Sequence, residues 1–242
     1  AVYRLHPSPE GHLSMLLHRM ECSVFQNPSS TSPSRVASFL FVVGHIAIKQ
    51  IVRLESLLSE FQSESEAERA MECAEGEIVS PQGMLGKYGI MVRKICTDSK
   101  GTSLVRASAV LCLSKLMSVH QKYCQQNMPI VLALLTCNEP TVRANAVIAL
   151  GNLACRYPNI VEPFVAKLFL VLDDTDKSVR KNALMVLTHI ALSGMIKFRS
   201  QMVDILVLIN DGEVVIAGLA RHFFHELQTK SPNTAFNFLP EC

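Results

Sequence analysis

The sequence predicts an all-α chain built as an array of paired helices. Three observations carry this. Four segments align without a gap at a constant spacing of 37 residues, starting at Val105, Val142, Val179 and Ile216. Each places apolar side chains at i, i+4 and i+8, one face of an α-helix. The apolar content is high at 49%, yet aromatics make up only 6% and Trp is absent, so the core must come from Ala, Val, Leu and Ile on helices that approach closely.

The first 34 residues read as one helix, Leu13 to Val24, followed by a loop. Leu13, Leu16, Leu17 and Met20 share a face, and Asn27-Pro28-Ser29-Ser30-Thr31-Ser32-Pro33-Ser34 has loop composition. Ser34 is expected to cap the next helix. That helix, residues 35–61, is apolar almost all round in its first half, so burial between neighbours is expected. Gly44 allows a close crossing or a kink. Residues 62–83 form an acidic connector, partly helical: seven Glu fall between Glu60 and Glu77, against a single Arg. Met84 to Cys96 returns to a helical apolar pattern and opens the repeat array, residues 84–242, of about four repeats with the next one truncated.

Inside the array each 37-residue repeat begins on a branched apolar residue and places Ala four residues later: Ala109, Ala146, Ala183 and Ala220. The small row admits a neighbouring helix. Polar turns precede the later repeats, Asn138-Glu139-Pro140, Asp173-Asp174-Thr175-Asp176 and Asp211-Gly212-Glu213, and acids there suit a helix N-terminus. A second apolar helix lies between: Asn127 to Leu135, Ile160 to Leu172, and Phe198 to Ile209. The length of 37 residues suits two helices and two turns. It is short for the three-helix armadillo repeat, and the tetratricopeptide and ankyrin landmarks are missing. The fold class expected is therefore a HEAT-type α–α superhelix, a solenoid.

Composition excludes several function classes. A net charge of +2 does not by itself argue for nucleic acid. Residues 1–100 carry 10 basic and 11 acidic side chains, and the remainder 13 and 10, so the repeat half is mildly basic. The eight Cys form no C-x-x-C pair and read as reduced core thiols of an intracellular protein. No secretory leader is visible. The most apolar stretch, Val36 to Ile48, reads as too short and interrupted to span a bilayer. No nucleophile elbow, phosphate loop, zinc-protease or dinucleotide motif appears. An enzyme is the least favoured class, and no cofactor or small-molecule substrate is expected.

Beyond the bare repeat, particular words resemble one family. Val142 to Ala154 (VRANAVIALGNLA), Val179 to His189 (VRKNALMVLTH), Gly194-Met195-Ile196-Lys197 and Asn237-Phe238-Leu239-Pro240 are similar to the C-terminal HEAT region of the condensin subunit 1 family, the large regulatory non-SMC subunits. The helix His45 to Glu55 resembles one that precedes a variable acidic insert there, with residues 59–77 as a short form of it. Family members are several times longer, so the sequence reads as a piece of a longer array or as a short divergent relative. The resemblance implies a non-catalytic scaffold that binds the kleisin subunit, supports the SMC ATPases and engages DNA in mitotic chromosome condensation. It would act in the nucleus and on chromosomes, with a cytoplasmic pool in interphase. The rival reading is a transport or phosphatase scaffold of adaptin, importin or regulatory-subunit type, binding proteins only.

Candidate site residues follow from these two readings. Val105, Arg106, Ala109, Val142, Arg143, Ala146, Val179, Arg180 and Ala183 are repeat positions. The arginines among them would either meet phosphates or pair with acidic turn residues; the ion-pair reading is preferred. The DNA candidates are Lys177, Arg180, Lys181, Lys197 and Arg199, weighed against an ordinary solvated face. His222 and His225 stand at i, i+3, a spacing compatible with metal ligation, but no third ligand is evident and no metal is assigned. His45 and His189 are expected as hydrogen-bonded core residues. The acidic stretch would be a solvated connector, or else would bind a basic partner or carry phosphates on Ser63, Ser65 or Ser80.

Overall fold

The computed structural model describes residues 9–26, 31–58, 63–194 and 202–230. Every regular element among them is helical. By packing, the chain divides into two compact units, residues 1–133 and 134–242, where the sequence suggests a single array from residue 84.

The first unit holds α1 (Pro9–Phe25), α2 (Pro33–Leu58), α3 (Glu64–Val79), α4 (Gly86–Thr97), α5 (Ser103–Met117) and α6 (Gln121–Leu134). Helix α2 begins at Pro33 rather than after Ser34. Proline suits a first helical position, where its missing N–H has no intrahelical partner to lose, and the carbonyl of Ser32 accepts from the N–H groups of Arg35 and Val36. Val36, Phe39, Leu40, Val43, Ala47 and Ile51 are buried, a stripe at helical spacing that faces α5. The opposite side is open, since Phe41 and Val52 are exposed, so α2 is not enclosed on all sides. At 26 residues it runs well beyond the apolar stretch Val36 to Ile48. By length and composition it is able to cross a membrane, but half of its most apolar window is buried within the protein.

The acidic connector is a continuous helix over most of its length. Ala67, Ala70, Met71, Ala74 and Ile78 recur at three- and four-residue intervals, each partly covered, and give α3 an apolar stripe to lay against α2 and α4. Glu66, Glu68 and Glu72 are exposed on the other faces, whereas Glu75 is buried beside the stripe. Leu85, just before α4, and Tyr88, Val92 and Cys96 within it are buried, and Tyr88 meets Phe39 edge-on at 5.6 Å.

The second unit holds α7 (Pro140–Arg156), a broken helix comprising α8 (Pro158–Val161) and α9 (Val165–Leu170), then α10 (Lys177–Leu192), α11 (Met202–Val207) and α12 (Val214–Lys230). Ile160 to Leu172 is not one helix because Pro163 cannot donate a backbone hydrogen bond; a short 3-10 turn, Glu162–Phe164, stands at the break. Of Phe198 to Ile209, the first four residues lie outside the described ones. The repeat helices α5, α7, α10 and α12 begin at Ser103, Pro140, Lys177 and Val214, keeping the 37-residue step. Ala109, Ala146, Ala183 and Ala220 are all fully buried. Leu113, Leu150 and Leu187 beneath them are also fully buried, each contributing about 1.5–3 kcal/mol by burial.

One close approach recurs in both units. A Cβ added at Gly151 of α7 would stand 2.8 Å from a methyl of Val186 on α10. One added at Gly44 of α2 would stand 2.9 Å from Lys115 Cδ and 3.3 Å from Cys112 Cα on α5. At Gly151 the space of a side chain is filled by stiff Val186, and at Gly44 it is filled by the flexible Lys115 stem over the α5 backbone. Gly44 thus serves a close crossing.

Candidate partner-binding surface

Two of the three repeat arginines, Arg143 and Arg180, are tied to backbone and acid in the same way. From α7, Arg143 donates through Nε and Nη2 to the two carboxylate oxygens of Asp174, both at 2.7 Å, and through Nη1 to the Cys137 carbonyl at 2.9 Å. From α10, Arg180 donates through Nη2 to Asp211 at 3.3 Å and through Nη1 to the Asp174 carbonyl at 2.9 Å. Each arginine therefore reaches a carbonyl six residues behind it and an acid 31 residues ahead. The acid in turn accepts the N–H two residues on: Asp174 from Asp176, and Asp211 from Glu213, both at 2.8 Å. One guanidinium closes its own turn and clamps the next.

The Arg143–Asp174 pair is 12% and 10% exposed. Burial raises the Asp174 carboxyl, but the Arg143 hydrogen bond, the Asp176 N–H and the fields of Arg143 and Arg180 outweigh it and hold the group below its ordinary value. The same hydrogen bond lifts Arg143. Arg106 of α5 is buried at 6% exposure. The residue 31 places after it is Cys137, not an acid, so the acid of the motif is missing in that register.

The DNA candidates fare differently from one another. Lys177, Arg180 and Lys181 lie within the first five residues of α10, whose N-terminus Asp176 caps by accepting from Ser178 and Val179. Arg180 is committed to the clamp. Lys177 is 69% exposed and stands 3.6 Å from the Glu213 carboxylate. Lys181 is exposed. Lys197 and Arg199 lie outside the described residues.

Neither histidine expected in the core is there. His45 is exposed and stacks on Phe41, with ring centroids 6.0 Å apart and planes 9° from parallel. His189 is exposed, with Nε2 3.2 Å from Cys155 Sγ. Both sit on the open side of helices whose other side is apolar, which an apolar sequence neighbourhood does not reveal. His222 and His225 are exposed on α12; among the described residues no three His, Cys, Asp or Glu side chains converge to hold a metal. His189 and His222 line an open furrow of about 410 Å³ between α10 and α12, with Met185, Leu192 and Leu219. A second furrow, of about 440 Å³, lies between α3 and the start of α6, where Lys122 pairs with Glu72 at 3.0 Å. The cysteines also divide. Cys96, Cys112 and Cys124 are buried, whereas Cys73 and Cys155 are exposed; all described cysteines are free thiols. At the two ends of α3, Ser80 donates to the Glu77 carbonyl and Ser63 and Ser65 bond each other at 3.2 Å.

These are the marks of a repeat array, and comparison with known proteins says which one. Residues 141–242 match the family described as non-SMC mitotic condensation complex subunit 1, and residues 103–153 match a HEAT-like repeat. The condensin-1 complex subunit CAP-D2 of Arabidopsis thaliana is 30% identical over the whole of this chain and 22% of its own length. The chain belongs to the condensin subunit 1 family. Condensin complex subunit 1 of Xenopus laevis is 30% identical over 99% of this chain, and that of Saccharomyces cerevisiae 26% over 90%. The chain spans about one fifth of the length of these curated relatives, at 22%, 21% and 22%. Among solved structures, that of Kap121p is similar in fold, with a TM-score of 0.55 and 11% identity over 96% of this chain and 27% of its own.

Proposed function

We propose that this chain is a non-catalytic scaffold segment of a condensin complex, presenting repeat helices to the kleisin and SMC subunits and contributing to DNA engagement in mitotic chromosome condensation. It would act in the nucleus and on chromosomes. The observation that carries the reading is the likeness to condensin subunit 1 across essentially the full chain. The clamp is consistent with it: Arg143 and Arg180, the chain's most regularly placed cations, join successive turns and leave binding to the open helix faces. Lys177 and Lys181 remain the described candidates for phosphate contact, joined by Lys197 and Arg199 from outside the described residues. The likeness to Kap121p, at 11% identity, is one of fold and does not favour the transport reading.

The test is capture by an immobilised kleisin segment from the same species. Retention of the folded chain supports the proposal; a folded chain that passes through unbound overturns it. DNA engagement is tested separately by affinity for duplex across a salt series. Neutralised phosphates give a steep loss of affinity with salt, shallower in Lys177→Gln/Lys181→Gln. Absent or salt-independent binding would remove DNA from the function of this segment.

A further inference from the structure

The first compact unit carries an open aromatic and cationic ridge that the repeat packing does not use. On α2, Phe41, His45 and Lys49 follow one another at four-residue steps and all three are exposed, Phe41 by 62%. From α5, Lys115 lies across Gly44 with Cδ 2.9 Å from where a Cβ would stand, and its Nζ sits 4.8 Å from the centre of the Phe41 ring. His45 stacks on the same ring. Phe41 is thus held in place by a cation and an imidazole while most of its surface faces solvent.

The two helices that form the ridge carry little negative charge of their own. Helix α5 contains no Asp or Glu, and the only acid in α2 is Glu55, more than three turns beyond Phe41. Among the described residues, no carboxylate stands within ion-pair distance of Lys49 or Lys115, whereas Arg53, the next residue in the row, is met by Glu10 at 3.2 Å. An exposed, preorganised aromatic ring inside a rim of unneutralised cations asks for two things at once, an apolar group and negative charge.

We infer that this α2–α5 face docks an acidic peptide segment that carries an apolar side chain among its carboxylates, the apolar group on Phe41 and the carboxylates toward Lys49, Lys115 and His45. Duplex DNA meets only half of the requirement, because its outer surface offers phosphates and nothing apolar to cover Phe41. The inference rests on the reading of the chain as a protein-binding scaffold and names the chemistry of one of its surfaces.

The experiment is fluorescence anisotropy on the full chain. The probe is a labelled peptide of about twelve residues with Asp and Glu flanking a Phe-Leu pair. Controls are the same peptide with its acids changed to Asn and Gln, and a labelled duplex of about 20 base pairs. The acidic peptide binds, more weakly as salt rises, and the amide peptide does not. Phe41→Ala and Lys49→Gln/Lys115→Gln each weaken binding about tenfold, the second also flattening the salt dependence, while Met185→Ala in the other unit leaves it unchanged. Phe41 is open to solvent, so its variant is expected to keep the parent melting curve. Failure of the acidic peptide to bind, or equal binding by Phe41→Ala, overturns the site. A duplex that binds here, loses affinity in Lys49→Gln/Lys115→Gln and is indifferent to Phe41→Ala also overturns it, in favour of a nucleic-acid face. Kleisin capture run on the same samples separates the two claims. Capture without peptide binding rejects the docking site and leaves the condensin reading standing; peptide binding without capture does the reverse.

Discussion

Arg143 meets Asp174 through two parallel 2.7 Å hydrogen bonds in a half-buried position. Removing the guanidinium leaves a half-buried carboxylate without its main counter-charge, so Arg143→Ala is expected to cost about 1–3 kcal/mol, read by urea denaturation. The pH dependence has a definite sign. Asp174 has a lowered folded pKa, so the clamp's contribution is present above the unfolded carboxyl value of about 3.9 and lost as pH falls through the lower folded value. Thermal melts of the parent and Arg143→Ala should therefore converge as the pH is lowered from about 5 to 2; a constant gap would refute the assignment. Gly151 makes a different kind of contact. Its missing side chain is filled by Val186, and a valine in a helix has little rotamer freedom with which to retreat. Gly151→Ala is expected to destabilise by about 1–3 kcal/mol, and adding Val186→Ala should recover most of the loss.

At the scale of the element, burial separates groups that the sequence shows as alike. Desolvation pushes the thiols of Cys96 on α4, Cys112 on α5 and Cys124 on α6 up to about 12, so each stays protonated and inert in the folded chain. Cys73 on α3 and Cys155 on α7 are exposed. Brief treatment with iodoacetamide followed by peptide mass mapping should modify Cys73 and Cys155 and spare the three buried thiols; their equal labelling would contradict the packing. The acidic segment shows the same limit of composition. Seven glutamates suggested a solvated connector, but the alanines and Met71 between them keep helical spacing, and that spacing folds α3 onto α2 and α4. The proline of the helix after α7 worked the opposite way: Ile160 to Leu172 has the apolar content of a helix and is still divided at Pro163.

For the molecule as a whole, repeat arrays are stabilised by each repeat and its nearest neighbours. A clamp lesion should act locally. Hydrogen exchange of Arg143→Ala is expected to lose protection in α7 and α10 and to keep that of α2 and α5; uniform loss across the chain would show instead that it folds as one cooperative body.

The 37-residue step, the Ala row and the family words of residues 142–197 were legible in the sequence. They are properties of one strand of text read against itself: a period, a helical face, a likeness. They determined the helical repeat, the core positions and the family. What the tertiary structure decided concerns pairs of helices. That Arg143 finds Asp174 and Arg180 finds Asp211, that Gly44 and Gly151 are occupied from the next helix, and that His45 and His189 face outward all depend on the rotation and separation of neighbouring helices. No single helix encodes these, because an i, i+4 pattern gives the direction of a side chain but not what stands opposite it. The ridge at Phe41 was hidden for the same reason. In the sequence, Phe41 is one more apolar residue in an apolar run, and only the placement of α5 against one side of α2 leaves it in solvent beneath the ammonium of Lys115.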